Sequence, residues 1–598
     1  MNQQVIDELE QLISLGDHDN AIALCERHFD QGTGDTSLAI RYGQLLRGAG
    51  RIEDAAWYLL MLTAQVPDDP APCKELGRLF EAIGDQEQAH TFYAQALKLS
   101  PHDLDLLLLI GRLFSVQGKA DEAASFYQEI NRIDTTQCAP AIYLAKDSFQ
   151  LGYHERALAW LERALELTEG HASNRLEAYS LLVFQRSAYT LKTGDDYLRA
   201  TADYWQQFRS MTVSSGHGPA HPRSSDRPAS PDKQLRVGFL GGHFGRYVVS
   251  TFLESFLIAY NREELCVDLL PTTLHPDSGS QYLASLVGSV HSLDGLTLEQ
   301  ARELIRDQRY DILVDTSGFT DTTGLQILAE RCAAVQCHWI GYHASTGLAT
   351  IDWFLGDAVF TPEALQDQFQ ERLWQLPRPW LAISPSIPPP PANASMAQEQ
   401  PILGSFNQLA KITRSTLDHW AAALVAVPDS LLVIKHAYTV NASACGRIRE
   451  ELQGRGIDPA RLTFLPGTEE WQDHLNTYNY IDVALDCTPW SSSTTAFDAL
   501  SMGVPLVAIN GDCASAKMSS SLLTGLGRSE WICRDPRDFA ATVAELCREL
   551  PALRASKADR QRQVLASPLF DPSDLADHIG KAFRLMHALA GAGAGHFH

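Results

Sequence analysis

The stretch DCTPWSSSTTAFDALSMGVP, Asp486 to Pro505, decides the fold of the C-terminal part of this chain. It follows an apolar run that ends at Leu485, and after Pro489 it continues into a run rich in hydroxyl side chains, Ser491 to Thr495. A strand that leads through such a turn into a helix presents free backbone N–H groups and the positive end of a helix dipole to an anion. The stretch therefore predicts an anion-binding turn, with an ordinary Ser/Thr-capped helix as the alternative.

Apolar runs alternate with helical patterns on both sides of this stretch. Strands are predicted within LRVGFLGG (235–242), YDILVDTSGF (310–319), VQCHWIGYHASTGL (335–348), IDWFLGDAVFTP (351–362), ILGSF (402–406), 431–435, LTFLPG (462–467), 481–485 and LVAINGD (506–512). This alternation is typical of parallel sheets with helices on both faces, which bind ligands at the carboxyl ends of their strands. The polar turns at 243–247, at Ser317 and at 341–347 are therefore candidate site loops. The Gly241-Gly242 turn does not match the dinucleotide fingerprint G-x-G-x-x-G.

The N-terminal third carries residues that recur with a period of 34. One glycine series contains Gly43, Gly77 and Gly111, a second contains Gly16, Gly50, Gly84, Gly118 and Gly152, and an alanine series contains Ala21, Ala55, Ala89, Ala123 and Ala157. An aromatic residue follows the alanine three positions later at Tyr58, Phe92, Phe126 and Trp160. The pattern predicts about five tetratricopeptide helix pairs, in which the small residues let helices approach and the aromatic residue fills the gap. A structural solenoid and a groove for a protein segment do not exclude each other, and partner binding is the favoured interpretation.

Composition limits the function of this 598-residue chain. A formal charge of −25 argues against general nucleic-acid or anionic-membrane binding. No leader sequence and no apolar run long enough to span a bilayer is found, so we expect a cytoplasmic protein without membrane insertion. The eleven cysteines have no C-x-x-C spacing, which favours reduced thiols and gives no zinc signature.

These patterns divide the chain. The predicted domains are tetratricopeptide repeats (1–170), capping or bridging helices (171–212), a linker (213–234), a first Rossmann-like half on the acceptor and sugar side (235–383), a Pro-rich linker (384–400), a second, nucleotide-sugar-binding half (401–550), and C-terminal helices and tail (551–598). The helical pattern at 571–589 can cross back to the first half.

Several of these motifs resemble the tetratricopeptide-bearing protein O-GlcNAc transferases and their bacterial and plant SPINDLY-like relatives. The matching text is DILVDTSGFT (311–320), IGYHASTGL (340–348), GSFNQLAKI (404–412), the block DCTPWSSSTTAFDALSMGVPLV (486–507) and ASPLFDPSDL (566–575). The resemblance implies an α-solenoid followed by an α/β two-Rossmann glycosyltransferase fold of the GT-B type. It also implies a UDP-GlcNAc donor, a Ser or Thr acceptor, and neither metal nor other cofactor.

The resemblance assigns roles to single residues. Lys411 faces the donor diphosphate as a catalytic residue. The nucleotide-sugar-binding positions are Gln408, His474, Ser493, Thr494, Thr495, Asp498, Gly341 and Lys517. Of these, Thr494 and Thr495 touch phosphate, Asp498 lies near the ribose, and Gly341 closes over the sugar.

The chain departs from the family on the sugar and acceptor side. The family motif Asp-Phe-x-x-His is replaced by a run from His243 to Tyr247, so we expect either His243 as a base or Tyr247 as a hydrogen-bond donor, or a site without either function. His343 replaces a proline, and Trp471 replaces a lysine of the animal members.

The repeats depart as well. Positions that carry a groove-lining asparagine in animal members hold Arg41, Glu75, Leu109 and Tyr143. This recoding favours a dedicated protein acceptor.

We expect an inverting, metal-independent protein O-glycosyltransferase that moves a sugar, most simply GlcNAc from UDP-GlcNAc, to a protein held by the repeats. Two alternatives stay open. The same fold can use another activated sugar, for example on flagellin or a surface protein, or the chain can be a catalytically inactive repeat scaffold. Homo-oligomers are compatible with each.

Overall fold

The computed structural model describes residues 3–14, 17–30, 36–167, 172–212, 234–274, 276–393 and 399–591. Residues 213–233 of the predicted first linker, residues 394–398 of the second, the predicted repeat boundary near 170 and Gly16 lie outside this part of the chain. Two compact units are present, residues 1–147 and residues 148–598.

The N-terminal part is a series of helix pairs, which confirms the predicted repeat array. The helices are α1 Gln3–Ser14, α2 His18–Asp30, α3 Thr36–Gly48, α4 Ile52–Gln65, α5 Pro70–Ala82, α6 Gln86–Leu99, α7 Leu104–Val116, α8 Ala120–Ile133, α9 Ala139–Gln150 and α10 His154–Leu167. Two longer helices follow, α11 Ala172–Tyr189 and α12 Gly194–Thr212. The end of α9 and all of α10 to α12 belong to the second unit.

The first glycine series lets the two helices of a pair approach. A Cβ atom on Gly77 would collide with the ring of Tyr93, and in the next repeat Tyr127 covers Gly111 in the same way. The sequence prediction for the covering residue was wrong by one position. Phe92 does not fill this gap but stacks on Phe80 at a centroid distance of 5.4 Å, because the position after it on the helix faces the glycine.

The second glycine series has a conformational cause. Gly50, Gly84, Gly118 and Gly152 have φ angles of 75°, 83°, 74° and 80°. This left-handed region is open to glycine at little cost and ends the first helix of each pair. The two series therefore recur for different reasons, one for close packing and the other for the turn.

Two parallel sheets form the rest of the chain. The first contains β1 Leu235–Gly241, β2 Leu265–Pro271, β3 Ser289–Val290, β4 Ile312–Asp315, β5 Val335–His338, β6 Trp353–Asp357 and β7 Arg372–Leu376 in the order β3-β2-β1-β4-β5-β6-β7. Its helices are α13 Val248–Leu257, α14 Ser278–Ser285, α15 Leu298–Gln308 and α16 Thr322–Leu328.

The second sheet contains β8 Ile402–Ser405, β9 Leu431–Lys435, β10 Leu462–Leu465, β11 Val483–Leu485, β12 Leu506–Ile509 and β13 Ile532–Cys533 in the order β10-β9-β8-β11-β12-β13. Its helices are α17 Arg414–Ala426, α18 Ala442–Gly454, α19 Trp471–Thr477, α20 Thr494–Ser501, α21 Met518–Gly525, α22 Pro536–Arg548, α23 Leu550–Ala555 and α24 Lys557–Leu565, and α25 Pro572–Gly591 follows. The two sheets confirm the predicted two-Rossmann architecture.

Not every strand was predicted. The apolar pattern of β2 is interrupted by Asp268, which is only 2% exposed and accepts a hydrogen bond of 3.0 Å from the Tyr310 hydroxyl. β3 and β13 are two residues long and carry no pattern of their own.

The strand order indicates where these two sheets would bind a ligand. β1 lies between β2 and β4, and β8 lies between β9 and β11, so each sheet changes winding direction there. Ligands of such sheets bind beyond the carboxyl ends of the strands at these points. The halves pack on each other through α13 and α20, since the rings of Phe252 and Phe497 lie 5.7 Å apart.

The C-terminal helix α25 returns to the first sheet, as the sequence predicts. The ring of Phe583 lies 6.2 Å from that of Phe256 in α13, and Arg584 forms an ion pair of 2.7 Å with Glu264. Among the helices of the described ranges, none is long and apolar enough to cross a membrane.

Candidate functional site

The turn that follows β11 is held in place by a buried carboxylate. Asp486 accepts hydrogen bonds from the backbone N–H and the hydroxyl of Ser492, at 3.0 and 2.7 Å, and one from the Ser519 hydroxyl. Burial raises the pKa of Asp486. Its backbone carbonyl accepts from the indole N–H of Trp420 at 2.8 Å. Asp486 is therefore a structural anchor of the turn.

The hydroxyl residues of the turn divide into two groups. Ser491 and Ser492 are fully buried, and the Ser491 hydroxyl donates to the carbonyl of Ser515 at 2.8 Å. Ser493, Thr494 and Thr495 are partly exposed at the start of α20, and the Ser493 side chain makes no capping hydrogen bond. The first N–H groups of a helix have no intrahelical partner, so this end of α20 is suited to bind an anion.

Lys411 lies beside this helix start. It ends the 3₁₀ turn Leu409–Lys411 that follows β8, and it is 8% exposed. Its ammonium donates to the carbonyl of Ser491 at 2.9 Å and lies 4.5 Å from the centre of the Trp490 ring. Burial lowers the pKa of Lys411 to about 8. The two predicted phosphate contacts, the lysine and the helix start, are thus brought together.

Two side chains behind the lysine were missed by sequence reasoning. The Tyr189 hydroxyl of α11 donates to the carbonyl of Ala410 at 2.6 Å. The ring of His154, in α10, lies 3.9 Å from that of Tyr189. The last helices before the sheets therefore support the turn that carries Lys411, and no local motif marks this role.

A second polar cluster surrounds Asp498. The indole N–H of Trp471 donates to one carboxylate oxygen at 3.3 Å, and Nε2 of His474 lies 3.4 Å from the other. Nζ of Lys435 lies 2.9 Å from Nδ1 of His474. Because an ammonium only donates, Nδ1 is the acceptor and Nε2 carries the proton that faces Asp498. The structure brings the predicted His474 and Asp498 together and adds Lys435, at the end of β9, to them.

Gln408 and Lys517 are two further predicted residues of the second half. Gln408 is exposed at the start of the Lys411 turn. Nζ of Lys517 donates to the Asn510 side chain at 3.1 Å, and burial lowers the pKa of Lys517. The backbone N–H of Met518 donates to the Ser491 hydroxyl at 3.1 Å, so α21 is attached to the same turn.

Gly341 permits a close contact between two loops of the first half. A Cβ atom there would lie 2.1 Å from the carbonyl oxygen of Thr316, which follows β4. The next loop residues reach the second half, since the ring of His343 lies 5.7 Å from that of Trp490. Burial lowers the pKa of His343 to about 3, so this side chain is neutral near neutral pH.

His243 and Tyr247 lie in the turn after β1. Their rings meet edge to face at 4.9 Å, and Tyr247 is 43% exposed. The backbone N–H of Gly242 donates to the Ser317 hydroxyl at 3.1 Å, which joins this turn to the one after β4. The two candidate acceptor-side residues are thus grouped at the carboxyl end of β1 in the first half.

No set of three or more His, Cys, Asp and Glu side chains within the described ranges is placed to hold a metal ion.

Comparison with known proteins decides the family. The sequence model of glycosyl transferase family 41 matches residues 209–383 and 393–579. The chain belongs to glycosyltransferase family 41. A tetratricopeptide repeat model also matches residues 74–137.

Relatives of this family 41 chain include plant proteins. The probable UDP-N-acetylglucosamine–peptide N-acetylglucosaminyltransferases SPINDLY of Petunia hybrida and of Oryza sativa subsp. japonica are 28% and 30% identical to it over 61% of the chain. The chain spans about 40% of the length of either relative. A mutant of the Thermobaculum terrenum O-GlcNAc transferase is similar in structure, with a TM-score of 0.77 and 27% identity over 88% of this chain and 98% of that one.

Proposed function

We propose that this family 41 chain is a protein O-glycosyltransferase that moves GlcNAc from UDP-GlcNAc to a Ser or Thr hydroxyl of a protein acceptor. The observation that carries the proposal is the position of Lys411, whose ammonium lies beside the start of α20 and within 2.9 Å of the Ser491 carbonyl. A buried cation and unpaired helix N–H groups are the features that bind a diphosphate. The relatives named for UDP-GlcNAc transfer support the choice of donor.

The proposed reaction is a direct displacement with inversion. The acceptor oxygen forms a bond to the anomeric carbon of the sugar, the bond from that carbon to the diphosphate breaks, and its electron pair leaves with UDP. The proton of the acceptor hydroxyl passes to a base or to solvent. Lys411 and the N-terminus of α20 stabilise the charge that develops on the diphosphate, a role that needs preorganised donors rather than a bound metal ion.

The second cluster is assigned to the nucleoside. The Asp498 carboxylate is held by Trp471 and His474 and is suited to accept from ribose hydroxyls. Gln408 is exposed at the start of the Lys411 turn, and its side-chain amide is assigned to the nucleobase. Thr494 and Thr495 are assigned to the phosphates and complete the donor site.

The sugar and acceptor side supports a second candidate, which is transfer of another activated sugar by the same fold. His343, where relatives carry a proline, is neutral and packs against Trp490 at the place assigned to the sugar. His243 and Tyr247 are the candidates for the acceptor-side base and hydrogen-bond donor.

The repeats are proposed to recruit the acceptor, and we place the protein in the cytoplasm. The eleven cysteines are thiols rather than disulfides, which agrees with a reducing compartment. A catalytically inactive scaffold is the third candidate, although a buried lysine beside an uncapped helix start is costly to keep without an anionic ligand.

Transfer of label from radiolabelled UDP-GlcNAc to protein in an extract tests the proposal. The full chain should label protein, and Lys411→Ala should not. Lys581→Ala, on the exposed face of α25, is the matched control and should label normally. Labelling from a different nucleotide sugar only would establish the second candidate. An absence of transfer from every donor, in a protein that binds UDP, would establish the scaffold.

A further inference from the structure

A cavity of about 140 Å³ lies in the second half, and none of its lining residues belongs to the candidate donor site. It is bounded by the C-terminal end of α20, the residues before β12, the segment after α21, and α24. The amino end of β12 is opposite the edge at which the sheet binds its ligand. Since α20 has eight residues, the cavity is about 12 Å from the helix start beside Lys411. It is therefore separate from the donor site.

The walls of the cavity are mostly apolar. Val504 and Val564 are buried, Trp531 is 8% exposed, and Leu526 covers one side. Cavities of about 150 Å³ hold a molecule of the size of benzene. The space thus accommodates one compact apolar group and excludes a nucleotide.

Two guanidinium groups face this apolar space. Arg560 donates to the carbonyl of Gly503 at 2.8 Å and to the Ser556 hydroxyl at 2.6 Å, and within the described part of the chain no carboxylate forms an ion pair with it. Arg528 donates to the Gln563 side chain at 3.1 Å. None of the described residues that line the cavity is acidic.

The electrostatics of the pair favour an anion. Burial and the positive charge of Arg528 lower the pKa of Arg560 to about 10, so the two cations repel each other. Arg528 forms an ion pair of 3.5 Å with Glu530, whose side chain is 57% exposed and does not line the cavity. A ligand with a negative charge would remove the repulsion.

The shape of the site selects the kind of anion. A planar carboxylate pairs with a guanidinium through two parallel hydrogen bonds. Inorganic phosphate would leave the apolar walls without a partner, and a neutral apolar molecule would leave the charges unpaired. We propose that this cavity binds a small organic carboxylate with a compact aromatic or branched aliphatic body, held by Arg528 and Arg560.

Benzoate is the probe that tests this. Isothermal titration of the full chain with benzoate should show saturable binding, whereas benzamide, of the same shape without the charge, and inorganic phosphate should not bind. Arg528→Met should weaken benzoate binding by about tenfold or more, because it removes a charge-assisted pair. Arg562→Met is the control for the loss of an arginine; Arg562 lies on the helix that carries Arg560, but it is 73% exposed and does not line the cavity.

Two further measurements locate the binding. UDP should not displace benzoate, because the cavity is separate from the donor site. Leu526→Trp, which fills the cavity and keeps both arginines, should abolish binding. The proposal would be overturned by an absence of saturable binding at millimolar benzoate, by displacement with UDP, or by unchanged benzoate affinity in both Arg528→Met and Leu526→Trp.

Discussion

The ammonium of Lys411 lies 4.5 Å from the centre of the Trp490 ring. A cation over an aromatic face is held without a counter-ion, and desolvation strengthens that attraction. The buried carboxyl nearby, Asp486, is engaged by Ser492 and Ser519 rather than by the lysine. The positive charge of Lys411 therefore stays available for a ligand, which is the basis of the account given above.

Replacement of Lys411 tests that availability. Lys411→Met should lower kcat by about 10²- to 10³-fold, because one preorganised donor to the leaving group is lost. The fold should persist, since a buried cation contributes little net stability when an apolar side chain of similar length replaces it. Transfer kinetics and the melting temperature measure the two effects. Retention of more than half of the activity would contradict the assignment, and Lys581→Met provides the control.

The pKa of Lys411 predicts a pH dependence. Burial lowers this pKa to about 8, so the ammonium loses its proton in the folded protein as pH rises through that value. UDP affinity should then fall by about tenfold per pH unit above pH 8. The Lys411→Arg variant keeps its positive charge over this pH range, so its affinity for UDP should change little with pH. Calorimetric titrations at several pH values compare the two proteins.

The lowered pKa of Lys411 also makes the free energy of unfolding depend on pH, and this dependence runs opposite to that of the UDP affinity. Because the pKa is lower in the folded state than in the unfolded chain, the unfolded chain binds more protons between about pH 8 and 10.5. The contribution of Lys411 to stability therefore rises with pH through this window. A loss of UDP affinity in this pH window is therefore not caused by a loss of stability at Lys411. A parallel loss of affinity in Lys411→Arg would show that another group titrates.

Tyr189 is predicted to be a positioning residue. Tyr189→Phe removes the donor to the Ala410 carbonyl, and we expect kcat to fall about three- to tenfold, which corresponds to one hydrogen bond. Tyr480→Phe is a control, since Tyr480 is 59% exposed.

The decisive comparison for Tyr189 is the double variant. If Tyr189 acts through the lysine, Tyr189→Phe should have no further effect on kcat in Lys411→Met. Equal effects of Tyr189→Phe in both backgrounds would indicate a purely structural role.

Lys435 is predicted to fix the tautomer of His474. Lys435→Met removes the donor to Nδ1, so that the imidazole is free to exchange its proton between the two nitrogens. We expect UDP affinity to fall about three- to tenfold, because the hydrogen bond that orients the His474 ring is lost. Nitrogen NMR of the His474 ring reports the tautomer directly. An unchanged tautomer together with unchanged affinity would refute this role.

The sequence predicted the parts of the structure that depend on local patterns. The period of 34 residues predicted the helix pairs, and the block from Ile481 to Asp498 predicted a strand, a hydroxyl-rich turn and a helix, which the structure contains. The same block did not reveal that Ser491 and Ser492 are used to hold the turn, because their partners are at Ser515 and Asp486 in the folded chain.

Long-range contacts could not be predicted. Tyr189 and Ala410 are separated by 221 positions and carry no shared motif, so only the folded chain shows their hydrogen bond. Tyr93 rather than Phe92 covers Gly77 because helix rotation places adjacent aromatic residues on different faces. Lys435 ends a predicted strand, but its contact with His474 depends on the neighbouring helix α19.

The proposed function depends on the binding of a UDP-sugar to the second half through Lys411 and the start of α20. Thermal-shift titration of the purified chain with UDP, GDP and CMP tests it most directly, since a ligand that binds only the native state at a hundredfold excess over Kd adds about 2.7 kcal/mol to stability. We predict a saturable rise in melting temperature with UDP that is much reduced in Lys411→Met. No shift with UDP, or an equal shift in the variant, would contradict the account.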